Sequence, residues 1–107
     1  MAETREFFEK YMPEKLVEKP NLVTEVKAVF RFDVAGAGIW MMDLKNPPGG
    51  ITEVEGEPPP ADCVITVAKA DWETVLDKPA YAMQLFMTGK LKASNIGLAM
   101  ALQKILG

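Results

Sequence analysis

Few side chains in this 107-residue sequence could do covalent or acid–base chemistry. Cys63 is the single thiol, and a thiol is a nucleophile only where a neighbour draws off its proton. The chain has no histidine, which removes the commonest general base and the commonest metal ligand together. Cys63 is therefore read as a buried strand residue, and a lone cysteine excludes an internal disulfide. Asp43 and Asp62 have no second carboxylate placed at a defined distance for acid–base work, so they are read as surface or turn residues. Gly36-Ala37-Gly38 begins like a dinucleotide loop. No third glycine follows at the required spacing, however, and a strand follows where a helix is needed. A Gly-x-Ser-x-Gly elbow and a phosphate loop are also missing. The expectation is a protein that is not an enzyme, with no metal and no cofactor.

Composition narrows the classes further. Hydrophobic residues make up 49% and charged residues 25%, the balance of one ordinary globular domain spanning 1–107. The net charge of −3 argues against a nucleic-acid partner, which needs a basic footprint. No cluster of Lys and Arg reads as an anchor to an anionic membrane. No apolar run reaches the ~20 residues of a membrane span, and no apolar segment follows Met1 as in a secretory signal. A reducing, cytoplasmic setting is expected. Seven methionines are many for this length; composition alone reads them first as core filler, and their flexible thioethers would also suit an interior that adapts to irregular guests.

These residues must be positioned by regular elements. Residues 2–19 read as helix, with Thr4 as a cap and Phe7, Phe8, Tyr11 and Leu16 at helical spacing. Pro13 is expected to split it in two. Strict alternation over 23–34 predicts a strand with Val26, Ala28, Phe30, Phe32 and Val34 on one face. A hairpin turn at 35–38 leads to a strand over 39–45, carrying Trp40, Met42 and Leu44 on one face. Turn chemistry at 46–50, a strand over 51–55 and a proline-rich loop over 56–60 follow. Residues 62–68 predict a strand apolar on both faces. A helix over 71–77 and a second helix opened by Pro79 and stopped at Gly89 come next. Residues 90–94 predict a short strand. Ser94 or Asn95 then caps a last helix running to the end.

That last helix has almost no polar face: Ile96, Leu98, Met100, Leu102, Ile105 and Leu106 are interrupted by little besides Gln103 and Lys104. Such a helix is buried or covers something apolar on two sides. Its outer face must meet a partner, a membrane or an apolar ligand, and a cover that loosens without ligand is expected.

Four stretches resemble the sterol carrier protein 2 family. Trp40 to Asn46 resembles its W-x-x-D-L/V-K-N strand, and Ala61 to Thr66 its A-D-C-T-I-T strand. Gly89 to Lys92, and Asn95 to Gln103, resemble its G-K-L-K-x-x-G-N-M-G-L-A-M-K-L-Q ending. The likeness is strong from about 28 to 107 and weak before. The chain departs at Ala82 (often Pro), Thr88 (Gln), Ser94 (Gly) and the loop at 57–60, and it lacks a peroxisomal Ser-Lys-Leu tail.

The resemblance implies an α+β fold: a five-stranded, mostly antiparallel twisted sheet with helices on one face, enclosing a hydrophobic tunnel that the C-terminal helix closes. It implies non-catalytic intracellular binding and transfer of fatty acids, fatty acyl-CoA or sterol-like lipids. The residues it places at the tunnel are Phe30, Phe32, Trp40, Met42, Leu44, Leu76, Met83, Phe86, Met87, Met100, Leu102 and Gln103. The partners expected are a lipid ligand and a transient contact with a membrane or a lipid-handling enzyme, with the chain itself a monomer or weak dimer. The alternative is an accessory or dimerisation domain acting with lipid-metabolising enzymes.

Overall fold

The computed structural model describes residues 3–106, with the backbone alone at 103 and 104. Helix α1 (Thr4–Glu6) passes without a break through a π-helical stretch (Phe7–Tyr11) into α2 (Met12–Glu18). Pro13 therefore does not split the helix. The wider turn just before it, in which the Met12 N–H reaches back to the Phe7 carbonyl, absorbs the mismatch that a proline imposes on an α-helical ladder. Phe7, Phe8, Met12 and Leu16 are buried along one side. Thr4 does not act as the cap; it is the first helical residue. Its N–H and hydroxyl donate to the Glu73 carboxylate at 2.9 and 3.2 Å, which places a negative charge at the helix N-terminus, where it is favoured.

Residues 21–26, expected at least in part as strand, form helix α3 (Asn21–Val26). Leu22, Val23 and Val26 are its buried side. Their helical spacing competes with the period-2 pattern downstream, and Pro20 sets the entry to the helix. Lys27 then takes a left-handed conformation (φ 55°), ending α3 and turning the chain into β1 (Ala28–Ala35). Gly36, at φ 92°, makes the hairpin to β2 (Gly38–Leu44), a conformation that disfavours a Cβ. Gly49 also has a positive φ, 80°, and is needed for a second reason as well: a Cβ there would lie 2.8 Å from both the Asp43 carbonyl oxygen and Val23 Cγ2. It leads into the short β3 (Gly50–Glu53).

The remaining elements are β4 (Cys63–Ala68), α4 (Lys69–Asp77), α5 (Tyr81–Met87), β5 (Leu91–Ala93), α6 (Ile96–Ala99) and α7 (Leu102–Leu106). Pro79 lies two residues ahead of α5 rather than inside its first turn. The last helix is two helices, separated at Met100 and Ala101.

The strands form one sheet in the order β3-β2-β1-β4-β5. β1 and β4 are parallel, and the other three pairs are antiparallel. This is the expected α+β, mostly antiparallel architecture. β4 is interior in pairing, but Thr66 and Ala68 are exposed, so only one of its faces is covered. The covered face of the sheet carries Phe30, Phe32, Trp40, Met42, Leu44, Cys63, Ile65 and Leu91. The other face carries the Arg31–Asp33 ion pair at 2.8 Å.

Candidate functional site

The polar residues of the family-like motifs build the scaffold, while Leu91, Ile96, Ala99, Met100 and Leu102 of the same stretches line a cleft. The Asp43 carboxylate accepts the backbone N–H groups of Lys45 and Asn46 at 2.9 and 3.0 Å and the Asn46 side chain at 3.3 Å. Hydrogen bonds from Asn46, first, and from Lys45 hold the Asp43 carboxyl below its ordinary value. It closes the turn after β2. Asp62 accepts the Val29 N–H at 2.9 Å, fastening the start of β4 to β1. The Ser94 hydroxyl oxygen accepts the Val64 N–H at 2.8 Å. The Asn95 side chain caps α6 by accepting the Leu98 N–H at 3.0 Å. The Cys63 thiol is buried, and that burial pushes its pKa up, the opposite of an activated nucleophile. Among the described residues no group of His, Cys, Asp and Glu could hold a metal ion.

A cleft of about 90 Å³ opens between α5, β5 and the two C-terminal helices. Pro79, Ala80, Ala82, Met83 and Phe86 form one wall and Leu91 and Ala93 the floor, with Ile96, Ala99, Met100, Leu102 and Leu106 opposite. Every lining side chain is carbon or sulfur. Such a site offers no side-chain proton donor or acceptor, and can select a guest only by shape and by removing apolar surface from water. Its opposing lips are exposed: Met83 on α5, and Ile96 and Met100 one helical turn apart at α6.

The C-terminal wall is held unevenly. α6 buries no residue completely. α7 is anchored by Leu102 and the fully buried Ile105. The Ile105 carbonyl also accepts the buried Lys15 ammonium at 2.5 Å, linking α7 to α2. Burial, and the nearby Lys19 charge, lower the Lys15 pKa.

Of the twelve side chains expected at a tunnel, Met83, Phe86, Met100 and Leu102 meet at this cleft. Phe30, Phe32, Trp40, Met42 and Leu44 lie in the closed core. Phe8 stacks on Trp40 with ring centroids 4.7 Å apart and planes at 10°, and Arg5 covers the indole at 5.4 Å. Neither the Trp40 nor the Trp72 indole N–H meets an acceptor among the described residues. Met87, the last residue of α5, is 80% exposed. Leu76 lines a separate hollow of about 320 Å³ whose rim carries Glu3, Glu6 and Asp77. The Gln103 side chain lies outside the described residues. The lining residues that the sequence reading missed are four alanines, with Pro79, Leu91, Ile96 and Leu106. Two signals could have found some of them: Leu91 and Ala93 alternate on one strand face, and Ile96 and Met100 are spaced i, i+4.

The family model described as the SCP-2 sterol transfer family matches residues 8–107. Hydroxysteroid dehydrogenase-like protein 2 of Danio rerio is 35% identical over 91 residues, covering 81% of this chain and 21% of that protein. Sterol carrier protein 2 of Homo sapiens is 33% identical over 103 residues, covering 90% of this chain and 18% of that protein. The chain thus spans about a fifth of the length of these curated relatives. Among solved structures, the apo form of sterol carrier protein 2 from Yarrowia lipolytica superposes with a TM-score of 0.72 at 28% identity, covering 95% of this chain and 82% of that one.

Proposed function

Because the chain belongs to the SCP-2 sterol transfer family, whose domains bind and transfer lipids, we propose that it binds the apolar part of a lipid in the cleft between α5 and α6–α7. One observation carries this reading: a cleft lined wholly by apolar side chains, with exposed apolar lips and one wall made of a short helix that buries no residue completely. The binding is without turnover. The cleft holds no acid or base, the Cys63 thiol is buried, and Asp43 and Asp62 are occupied by backbone N–H groups.

The cleft must widen to take a long chain. Its volume of about 90 Å³ is below the ~150 Å³ that accommodates benzene in an engineered cavity. The weakly held α6 is the wall that yields. Leu106 borders both the cleft and the hollow beside Leu76, so its displacement would join the two into a tunnel. The acidic rim of that hollow disfavours a carboxylate or phosphate head group there, which leaves the head at the cleft mouth. Fatty acids and fatty acyl-CoA fit this polarity best, with a sterol-like ligand accommodated by the same apolar walls.

The test is titration of the purified chain with a fluorescent fatty acid. Saturable 1:1 binding near micromolar affinity, about −8 kcal/mol, is expected. Ala82→Phe, which fills the cleft, should weaken it at least about tenfold, or ~1.4 kcal/mol. No saturable binding to fatty acid, acyl-CoA or sterol would contradict the reading. A second reading has its own support: a match covering only 21% of a dehydrogenase-like protein is what an accessory domain handing lipid to an enzyme would give.

A further inference from the structure

Six of the seven methionines lie among the described residues, in sharply different surroundings. Met12 and Met42 are fully buried in the core, and Met41 is half-buried on the uncovered face of β2. Met83, Met87 and Met100 are 48%, 80% and 52% exposed. A thioether has no proton to lose, so access alone decides whether an oxidant reaches its sulfur. The thiol is the opposite case. Cys63 is buried, and burial pushes its pKa up, which removes the thiolate that peroxide attacks. Oxidant therefore meets methionine first in this chain. Two of the three exposed sulfurs, those of Met83 and Met100, stand on the opposing lips of the cleft.

We propose that Met83 and Met100 form a reversible oxidation site, at which peroxide lowers the cleft's affinity for lipid. In the step, a sulfur lone pair attacks one oxygen of hydrogen peroxide. The O–O bond breaks as the S–O bond forms, and the departing hydroxide takes the remaining proton as water. Sulfur loses two electrons and the peroxide gains them. The product is a polar, hydrogen-bond-accepting sulfoxide where the side chain was apolar. The cleft's side chains are all carbon or sulfur, so none of them donates to the new oxygen. A lipid closing over the lips would strip that oxygen of water without replacing the hydrogen bond, which is the costly case for a buried acceptor. Met87 undergoes the same chemistry without the consequence, because it borders a different hollow, with Thr88 and Lys90. Met12 and Met42 keep the core apolar while the lips change. Two thiols return the sulfoxide to thioether, giving a disulfide and water, when methionine sulfoxide reductases act on it. The effect on affinity rests on the lipid-binding reading; the order of oxidation does not.

The experiment treats the purified chain with hydrogen peroxide, maps the added oxygen by peptide mass spectrometry, and titrates a fluorescent fatty acid before and after. Met83, Met87 and Met100 should gain oxygen before Met41, with Met12, Met42 and Cys63 unmodified while the chain stays folded. Fatty-acid affinity should fall at least about tenfold, with thermal unfolding unchanged, and reductase treatment should restore it. Saturating the chain with palmitate beforehand should slow oxidation at Met83 and Met100 but not at Met87. The Met83→Leu/Met100→Leu chain, whatever its own affinity, should bind equally before and after peroxide, whereas Met87→Leu should lose affinity as the wild type does. If the double variant binds too weakly to compare, the reductase step decides: affinity must return as oxygen leaves Met83 and Met100. Unchanged affinity with both lips oxidised would overturn the proposal. So would a loss that persists in the double variant, or oxidation of Met12 and Met42 as fast as of the lips. Failure of the untreated chain to bind any fatty acid would overturn the lipid-binding reading and this proposal together.

Discussion

Beneath the N-terminal helices the sheet meets rings, and beneath α5 to α7 it meets mainly aliphatic side chains and thioethers, with Phe86 as the one aromatic ring lining the cleft among the described residues. On the first side Phe8 stacks on Trp40, lies 5.1 Å from Phe32 and is parallel to Trp72 at 6.3 Å. Planar groups tilted or stacked at these distances fill space completely, and Trp40, Phe30 and Phe32 have essentially no exposed surface. On the second side Ala80, Ala82, Ala93 and Ala99 alternate with Met83, Met100 and Leu102. Short side chains leave gaps and flexible ones do not fill them in a fixed way. The difference separates two tasks that a small domain must combine: the aromatic half supplies stability, and the aliphatic half gives up packing to keep a cleft.

The largest effect that could break this comparison is truncation in the aromatic half. Trp40→Ala should cost about 3–5 kcal/mol in denaturant unfolding, whereas Met100→Ala, half-exposed at the cleft lip, should cost less than about 1 kcal/mol. Equal costs would mean that the halves are packed alike. A smaller effect concerns the tie between them. Lys15→Ala removes the donor to the Ile105 carbonyl, and a buried acceptor losing its donor costs about 1–3 kcal/mol. Amide exchange should quicken over 102–106 while β1 is unchanged. Unchanged exchange in α7 would show that Leu102 and Ile105 alone hold it.

The smallest effect is on pH. The Asp43 carboxyl is held below its ordinary value in the folded chain. The unfolded chain therefore takes up the proton first as pH falls, and stability from this turn is full above the unfolded value and lost through the folded one. Asp43→Asn should flatten that part of the acid limb, and the loosening should be seen beside Gly49 and Val23, on the closed side. An acid limb identical in the variant would show that the turn is not titrating.

Much of this was legible in the sequence, for physical reasons that differ by element. Phe30, Phe32, Trp40 and Met42 alternate on strands whose second face is wet, and the period-2 pattern gave their side correctly. Asp43 and Asp62 had no catalytic partner, and both close backbone hydrogen bonds as turn residues do. The α3 helix was hidden because Val26 and Ala28 continue the strand alternation across a boundary made only by the left-handed Lys27. Trp40 was placed at the tunnel by resemblance, but its burial depends on Phe8, brought from the weakly similar N-terminal segment. Four of the twelve described residues lining the cleft are alanines, whose contribution is the space they leave, and no residue pattern marks an absence of volume.

The most direct test of where a lipid sits uses the methionines as reporters in both halves at once. Met12 and Met42 are fully buried in the closed half, while Met83 and Met100 line the cleft. In a methyl-labelled sample titrated with palmitate, the account predicts shifts and contacts from the acyl chain at Met83 and Met100, with Met12 and Met42 unmoved. Acyl-chain contacts at Met42 and Met12, with Met83 and Met100 silent, would contradict it and place the guest beneath the N-terminal helices.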